Sequence, residues 1–234
     1  MKTKIVMITN TFPYSPGEEF LETEINYWAK RNDLEVVIMP KNKTKIIREL
    51  PSSIILDDTL NKNKHLNRNN LKSAIKILMS IIFYKEIFTN FIINFKKLKN
   101  TLISCRDFLF YKKTLKEYIQ KHNNENILFY SYWHTEVCYS LQSLKNDFKH
   151  IKVISRIHGF DLYQERRPYN YMPLKKQFLD NIDKIYTISE KAKNYLINTY
   201  NYDPKIVEIS RLGVQDRNIV TSCNIKEILH VVSC

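Results

Sequence analysis

The residues best equipped for chemistry stand just after short apolar runs. Arg156-Ile157-His158-Gly159-Phe160-Asp161 gathers, at the end of one such run, a ring that donates or accepts near neutral pH, a glycine open to close approach, and a carboxylate. The alternative is a buried histidine bonded to Asp161 as turn structure. A second loop, Asn10 to Phe20, carries Pro16, Gly17 and Glu18 just before an expected helix, where free backbone N–H groups favour an anion such as a diphosphate or carboxylate. Here the alternative is a rigid turn in which Glu18 and Glu19 complement the helix dipole. In the third, Ser131 to Glu136, His134 lines a cleft or caps a helix; His134-Thr135-Glu136 has the H-x-E spacing of zinc deaminases, but no P-C-x-x-C follows. Ser189-Glu190 and Arg211-Leu212-Gly213-Val214 follow two later runs, and Ser189 is a natural N-cap.

These groups need elements to hold them. Apolar runs at Lys4 to Thr9, Leu34 to Met39, Ile54 to Leu56, Ile127 to Tyr130, Ile151 to Ile157, Lys184 to Ile188, Ile206 to Ile209 and Ile228 to Val232 read as strands. Between them, helical spacing predicts a helix with Glu18 and Glu19 in its first turn and Leu21, Ile25, Trp28 and Ala29 on its face. Helices are also expected over 135–146, 171–181 and 190–200, and two or three in succession over 69–122. Strand-helix alternation implies an α/β fold with a doubly wound parallel sheet, Rossmann-like, in which ligands sit outside the carboxyl ends of the strands.

Composition narrows the function. The only glycines are Gly17, Gly159 and Gly213, so no dinucleotide fingerprint, ATPase phosphate loop or nucleophile elbow can be built. The four cysteines form no C-x-x-C pair and have no histidine at zinc spacing; a reduced cytoplasmic interior is the plain expectation, with no metal. The net charge of +13 is uneven: residues 61–122 hold fourteen basic side chains against three acidic ones. Their lysines interleave with Phe83, Phe88, Phe91, Phe95 and other aromatics, which suits the surface of an anionic membrane or ordinary solvated helices over a core. A nucleic-acid groove is not expected, because no recognised binding motif is present. The stretch Ile77 to Phe95 is broken by Lys85 and Glu86, and neither half could span roughly 30 Å of hydrocarbon.

In order along the chain, F-P-Y-S-P-G-E-E-F-L-E-T-E-I, S-Y-W-H, R-I-H-G-F-D-L-Y, I-Y-T-I-S-E and R-L-G-V resemble the N-terminal domain of retaining glycosyltransferases of family 4, which have the GT-B fold. The bacterial surface-polysaccharide branch is the most similar. The resemblance implies a hexosyltransferase that moves a sugar from a nucleotide-sugar donor to a glycan or lipid-linked acceptor with retention, without a metal cofactor, at the inner face of the cell membrane. It implies that His158 reaches the transferred sugar, and that Asp161 steadies its loop or meets the acceptor. It further implies that Pro16, Gly17 and Glu18 face the donor diphosphate and acceptor, and that Arg156, Ser189 and Glu190 line the cleft; His134 and Gly159, at the same strand ends, join them as expected substrate-binding residues. It also divides the chain into an acceptor-binding domain, 1–222, and the opening of a C-terminal nucleotide-sugar-binding domain, 223–234, that is otherwise missing; such a half is expected to be inactive alone. The alternative expectation is a non-catalytic module that docks on a membrane through 61–122.

Overall fold

A computed structural model of the chain describes residues 2–62 and 71–213, with the side chains of 71–74 left aside. Lys64, Arg68, Val214, Cys223, Cys234, the expected strand at Ile228 to Val232 and the expected second domain from 223 lie outside the described residues.

Seven strands form one parallel sheet: β1 (Thr3–Thr9), β3 (Leu34–Pro40), β5 (Ile54–Leu56), β6 (Ile127–Ser131), β7 (Lys152–Ile157), β8 (Lys184–Thr187) and β9 (Val207–Ile209), in the spatial order β5-β3-β1-β6-β7-β8-β9. A separate two-stranded ribbon pairs β2 (Tyr14–Ser15) with β4 (Ile46–Ile47). The strand alternation explains the layers. In β1, Val6 and Ile8 point into one core with Val37, Met39 and Phe129, while Ile5 and Met7 point into the other with Val36 and Ile38. Both faces must therefore be covered, which is why β1 reads as an unbroken apolar run.

Helix α1 (Phe20–Ala29) covers the second face through Leu21 and Ile25. The first face is covered by α5 (Phe95–Lys121), α6 (Glu136–Leu144) and α8 (Glu190–Tyr200), with the one-turn α2 (Thr59–Lys62) contributing Leu60. In α5 the buried positions Thr101, Cys105, Phe108, Tyr111, Leu115, Tyr118 and Ile119 recur at three- and four-residue steps. Two shorter helices, α3 (Leu71–Leu78) and α4 (Ile81–Asn90), precede α5 and make the expected run over 69–122 three helices. The fold is α/β, doubly wound and Rossmann-like.

Two expectations fail for local reasons. No α-helix forms over 171–181; Lys175–Gln177 is one 3-10 turn, and Leu174 and Asn181 take left-handed conformations with φ of 66° and 64°. Pro173 disfavours helical geometry in the residue before it, and Tyr171 and Leu174 are held by the Glu86 carboxylate while Lys175 turns to the Asp161 carbonyl, so their burial follows no single helical stripe. Glu18 does not lie in the first turn of α1. Its φ of 57° puts it in the preceding loop, and Glu19 occupies the N-cap position.

Candidate functional site

The strand order reverses between β1 and β6, and the loops after those strands meet there. The loop after β1 folds round a carboxylate of its own. Glu18 accepts the backbone N–H groups of Asn10, Thr11 and Phe12 at 2.8, 2.7 and 2.7 Å and the indole N–H of Trp133 at 2.5 Å. These are the amides just after β1, not those at the N-terminus of α1, where the Leu21 and Glu22 N–H groups donate to the Glu18 and Glu19 carbonyls. Gly17, at φ 103°, supplies the turn that lets Glu18 reach back. Arg48 clamps the outside, donating to the Gly17 carbonyl at 2.9 Å and pairing with Glu19 and Glu22 at 3.2 and 2.6 Å. Pro16 is exposed, and its carbonyl accepts from the Thr11 hydroxyl.

After β7, His158 precedes the one-turn helix α7 (Gly159–Leu162). Asp161 is buried and divides its oxygens between two strand ends: Oδ1 takes the backbone N–H of His158 and Oδ2 that of His134, both at 2.6 Å. Buried Lys175 donates to the Asp161 carbonyl. Burial pushes the Asp161 carboxyl up to about 6 against the pull of Lys175 and the backbone N–H groups, and pushes the Lys175 amine down to about 8. The Asp161 carboxylate therefore stitches two loops together through the backbone amides of His158 and His134.

That imidazole is buried, 7% exposed, with neither Nδ1 nor Nε2 hydrogen-bonded. It is walled by Trp133, Tyr132 and Phe20, with ring centroids at 4.5, 5.6 and 5.7 Å. Burial, with the neighbouring Arg156 charge, holds its pKa down to about 4, so the ring is neutral at pH 7. Two residues earlier on the strand, Arg156 donates to the Tyr130 hydroxyl at 2.8 Å and to the Ser210 hydroxyl at 2.9 Å, and lies over the Tyr132 ring, yet its Nη1 is buried without a partner. Buried polar atoms in folded proteins are nearly always paired, and an unmet one costs about 1–3 kcal/mol. Three such atoms lie on neighbouring side chains here, Nδ1 and Nε2 of His158 and Nη1 of Arg156.

The other expected residues fall elsewhere. His134 turns into the core, with Nε2 2.9 Å from the Tyr202 hydroxyl and Nδ1 3.5 Å from the Cys138 sulfur. Its backbone borders a small cavity of about 50 Å³ shared with Glu136, Phe160, Asp161 and Arg167, room for one or two waters. Gly159 opens α7, where an added Cβ would come within 3.0 Å of Arg166 Nη1. Ser189 caps α8 by accepting the Ala192 N–H at 3.2 Å, and Glu190 is exposed in its first turn, at the strand end next to that of His158.

Sequence reasoning does not single out Lys41, Glu24 or Ser210. Lys41 follows β3, and its amine lies 3.5 Å from the Thr135 hydroxyl. Burial pulls its pKa down against the charges of Glu136, Glu18 and Asp161. The strand-end rule that finds His158 finds Lys41 when applied to β3. Glu24 accepts from the Tyr132 hydroxyl at 2.5 Å and approaches Arg156 at 4.0 Å, and no local signal marks it. Among the described residues no three His, Cys, Asp or Glu side chains cluster as a metal site.

No family model and no curated protein matches the chain. Among solved structures, the N-terminal domain of Candida albicans trehalose-6-phosphate phosphatase superposes with a TM-score of 0.56 at 12% identity, over 92% of this chain and 49% of that one. An E. coli trehalose-6-phosphate structure bound with UDP-2-fluoro glucose aligns over 91% of this chain and 49% of its own, with a TM-score of 0.49 at 10% identity. The chain thus spans about half the length of each. The likeness is one of fold, that of the N-terminal domain in GT-B proteins.

Proposed function

We propose that this chain is the acceptor-side half of a retaining GT-B hexosyltransferase, one that moves a sugar from a nucleotide-sugar to a glycan or lipid-linked acceptor in bacterial surface-polysaccharide synthesis. The observation that carries the reading is the orphaned set at the carboxyl end of β7: both ring nitrogens of His158 and Nη1 of Arg156. A neutral imidazole in an aromatic box suits a sugar, whose hydroxyl groups need a partner that both accepts and donates and whose apolar face stacks on rings. The free guanidinium N–H groups of Arg156 suit a carbonyl or phosphate oxygen.

The residues divide the work as follows. His158 holds a hydroxyl of the transferred sugar, and Arg156 steadies an oxygen of donor or acceptor. Asp161 and Glu18 act as positioning residues, fixing the loops after β7 and β1 through backbone N–H groups. Lys41 adds positive charge at the end of β3. Rate enhancement then comes from placing the two sugars and from electrostatics set before the reaction. The cleft is completed by a nucleotide-sugar-binding domain, and the half described here is inactive without it.

The test uses the intact enzyme that contains this domain, with nucleotide-sugars as donors. His158→Ala is expected to lower kcat/KM about 100-fold, in the range for losing one preorganised polar contact, with the fold unchanged by circular dichroism. Near-normal turnover would remove His158 from the sugar site. Failure of any nucleotide-sugar to be consumed would overturn the transferase reading.

A further inference from the structure

The basic stretch 61–122 divides in two. From Thr101 onward α5 buries its apolar side in the domain core. The end made by α3, α4 and the start of α5 buries Ile77 and Phe83 in a smaller cluster, with Ile82, Ile87 and Leu98 packed against it, but also points apolar residues outward. Met79, Ile81, Phe88, Phe91, Ile93 and Phe95 are between 73% and 95% exposed. Phe91 is the clearest case: it ends α4 in a left-handed conformation, φ 44°, and its ring packs on nothing that would repay that backbone geometry. Isolated exposed apolar residues are ordinary, but six within seventeen positions form a patch that marks an interaction surface.

The charges around the patch identify what covers it. Between residues 75 and 100 the basic side chains are Lys76, Lys85, Lys96, Lys97 and Lys99, and the only acidic one, Glu86, is fully buried. A second copy of the chain would bring these lysines against themselves. Beside Phe91 lies a cavity of about 350 Å³ lined by Asn90, Lys97, Gln164, Asn170, Tyr171 and Lys176, with two ammonium groups and several amides on its walls. We propose that this end of the molecule inserts into an anionic phospholipid surface, with the rings and aliphatic side chains of 79–95 at the acyl boundary and the lysine-lined recess over a phosphodiester headgroup. Apolar tips ringed by lysine have the composition of segments that lie in the membrane interface. Among the described residues no helix is long and apolar enough to cross the bilayer. This surface stands apart from the sugar site and does not depend on it.

Vesicle co-sedimentation at low salt tests the assignment, comparing phosphatidylcholine alone with equal parts phosphatidylcholine and phosphatidylglycerol. Binding is expected only to the anionic vesicles. The triple variant Phe88→Ser, Phe91→Ser, Ile93→Ser is expected to partition about 100-fold more weakly, given the apolar area removed, with an unchanged Tm. Lys85→Glu, Lys97→Glu, Lys176→Glu should weaken binding at least tenfold by reversing charge, and Phe91→Trp should show a blue-shifted emission on anionic vesicles alone. Absence of wild-type binding, equal binding by the triple variant, or a dimer in sedimentation velocity that the triple variant dissolves would each overturn the proposal. A marked fall in Tm would overturn it too, because it would show that these side chains stabilise the fold rather than face a membrane.

Discussion

Replacing His158 with Phe separates a ligand-binding histidine from a structural one without any substrate. A histidine kept for stability has partnered nitrogens, so a phenyl ring would strand those partners and cost about 1–3 kcal/mol for each. In this structure the nitrogens have no partner and the ring is surrounded by Trp133, Tyr132 and Phe20. His158→Phe should therefore be neutral or stabilising by about 1 kcal/mol at pH 7, after a modest cost for the larger ring. The gain must grow in acid. His158 has a folded pKa of about 4, below the ordinary 6.5, so between those values the unfolded chain binds the proton that the native chain refuses. Wild-type stability from this group is complete above 6.5 and is lost as pH falls toward 4. At pH 5 the loss is about 2 kcal/mol, and it levels near 3 below pH 4, at 1.36 kcal/mol per pH unit. Asp161, pushed up to about 6 from 3.8, works in the opposite direction over much of the same range, but it is common to both proteins and cancels in their difference. Urea melts of the two proteins at pH 7 and pH 5 measure this, and the added gain at pH 5 corresponds to roughly 4–8 °C in Tm for a domain of this size. A pH-independent difference, or a loss of 2 kcal/mol at pH 7, would refute the reasoning.

Glu18→Gln should destabilise by about 2–3 kcal/mol, because one carboxylate serves three backbone N–H groups and an indole and an amide presents only one oxygen to them; hydrogen exchange at Asn10, Thr11 and Phe12 should quicken selectively. Glu86→Leu should cost about 3 kcal/mol or more in a urea melt. The fully buried Glu86 accepts from the Tyr171 hydroxyl, the Leu174 N–H, and the Gln177 and Asn90 side chains; leucine removes all four bonds and leaves the Leu174 N–H unmet, while Tyr171 keeps Thr101 and Gln177 keeps the Ile82 carbonyl.

The strands were legible because β1, β3, β6 and β7 are buried on both faces and so carry apolar runs, broken in β7 only by Ser155 and Arg156 after its exposed first residue. The three helices before residue 122 were legible because nothing there breaks the period of α5. The region after Pro173 was not, since Tyr171 and Leu174 are held by the distant Glu86 and Lys175 by the Asp161 carbonyl, and such burial imitates helical spacing without being helical. The two-residue strands β2 and β4 are too short to carry a period. At the site, His158 and Arg156 follow from their place at a strand end. That Asp161 would serve two backbone amides does not, because the second amide belongs to His134, which only the β6-β7 register brings near. Glu18 was legible as an acid beside an anion-binding loop, but not as the acceptor of the amides just after β1.

One chain of buried contacts joins the apolar end of the molecule to the loops around His158 and His134. Glu86, on the inner face of α4, fixes Tyr171, Leu174 and Gln177. Lys175, held between Leu174 and Gln177, donates to the Asp161 carbonyl, and Asp161 sets the backbone of both His158 and His134. The step from Leu174 to Lys175 is the chain itself, and every other link is a hydrogen bond with a buried charged group, so a shift at either end leaves an unmet charge rather than a loosened contact. The outward face of α4 carries Phe88 and Tyr84 while its inward face carries Glu86. If α4 rests on a bilayer, the same helix sets the height and tilt at which the carboxyl edge of the sheet faces that surface, and an acceptor anchored in the membrane would meet His158 at a fixed distance rather than by free diffusion.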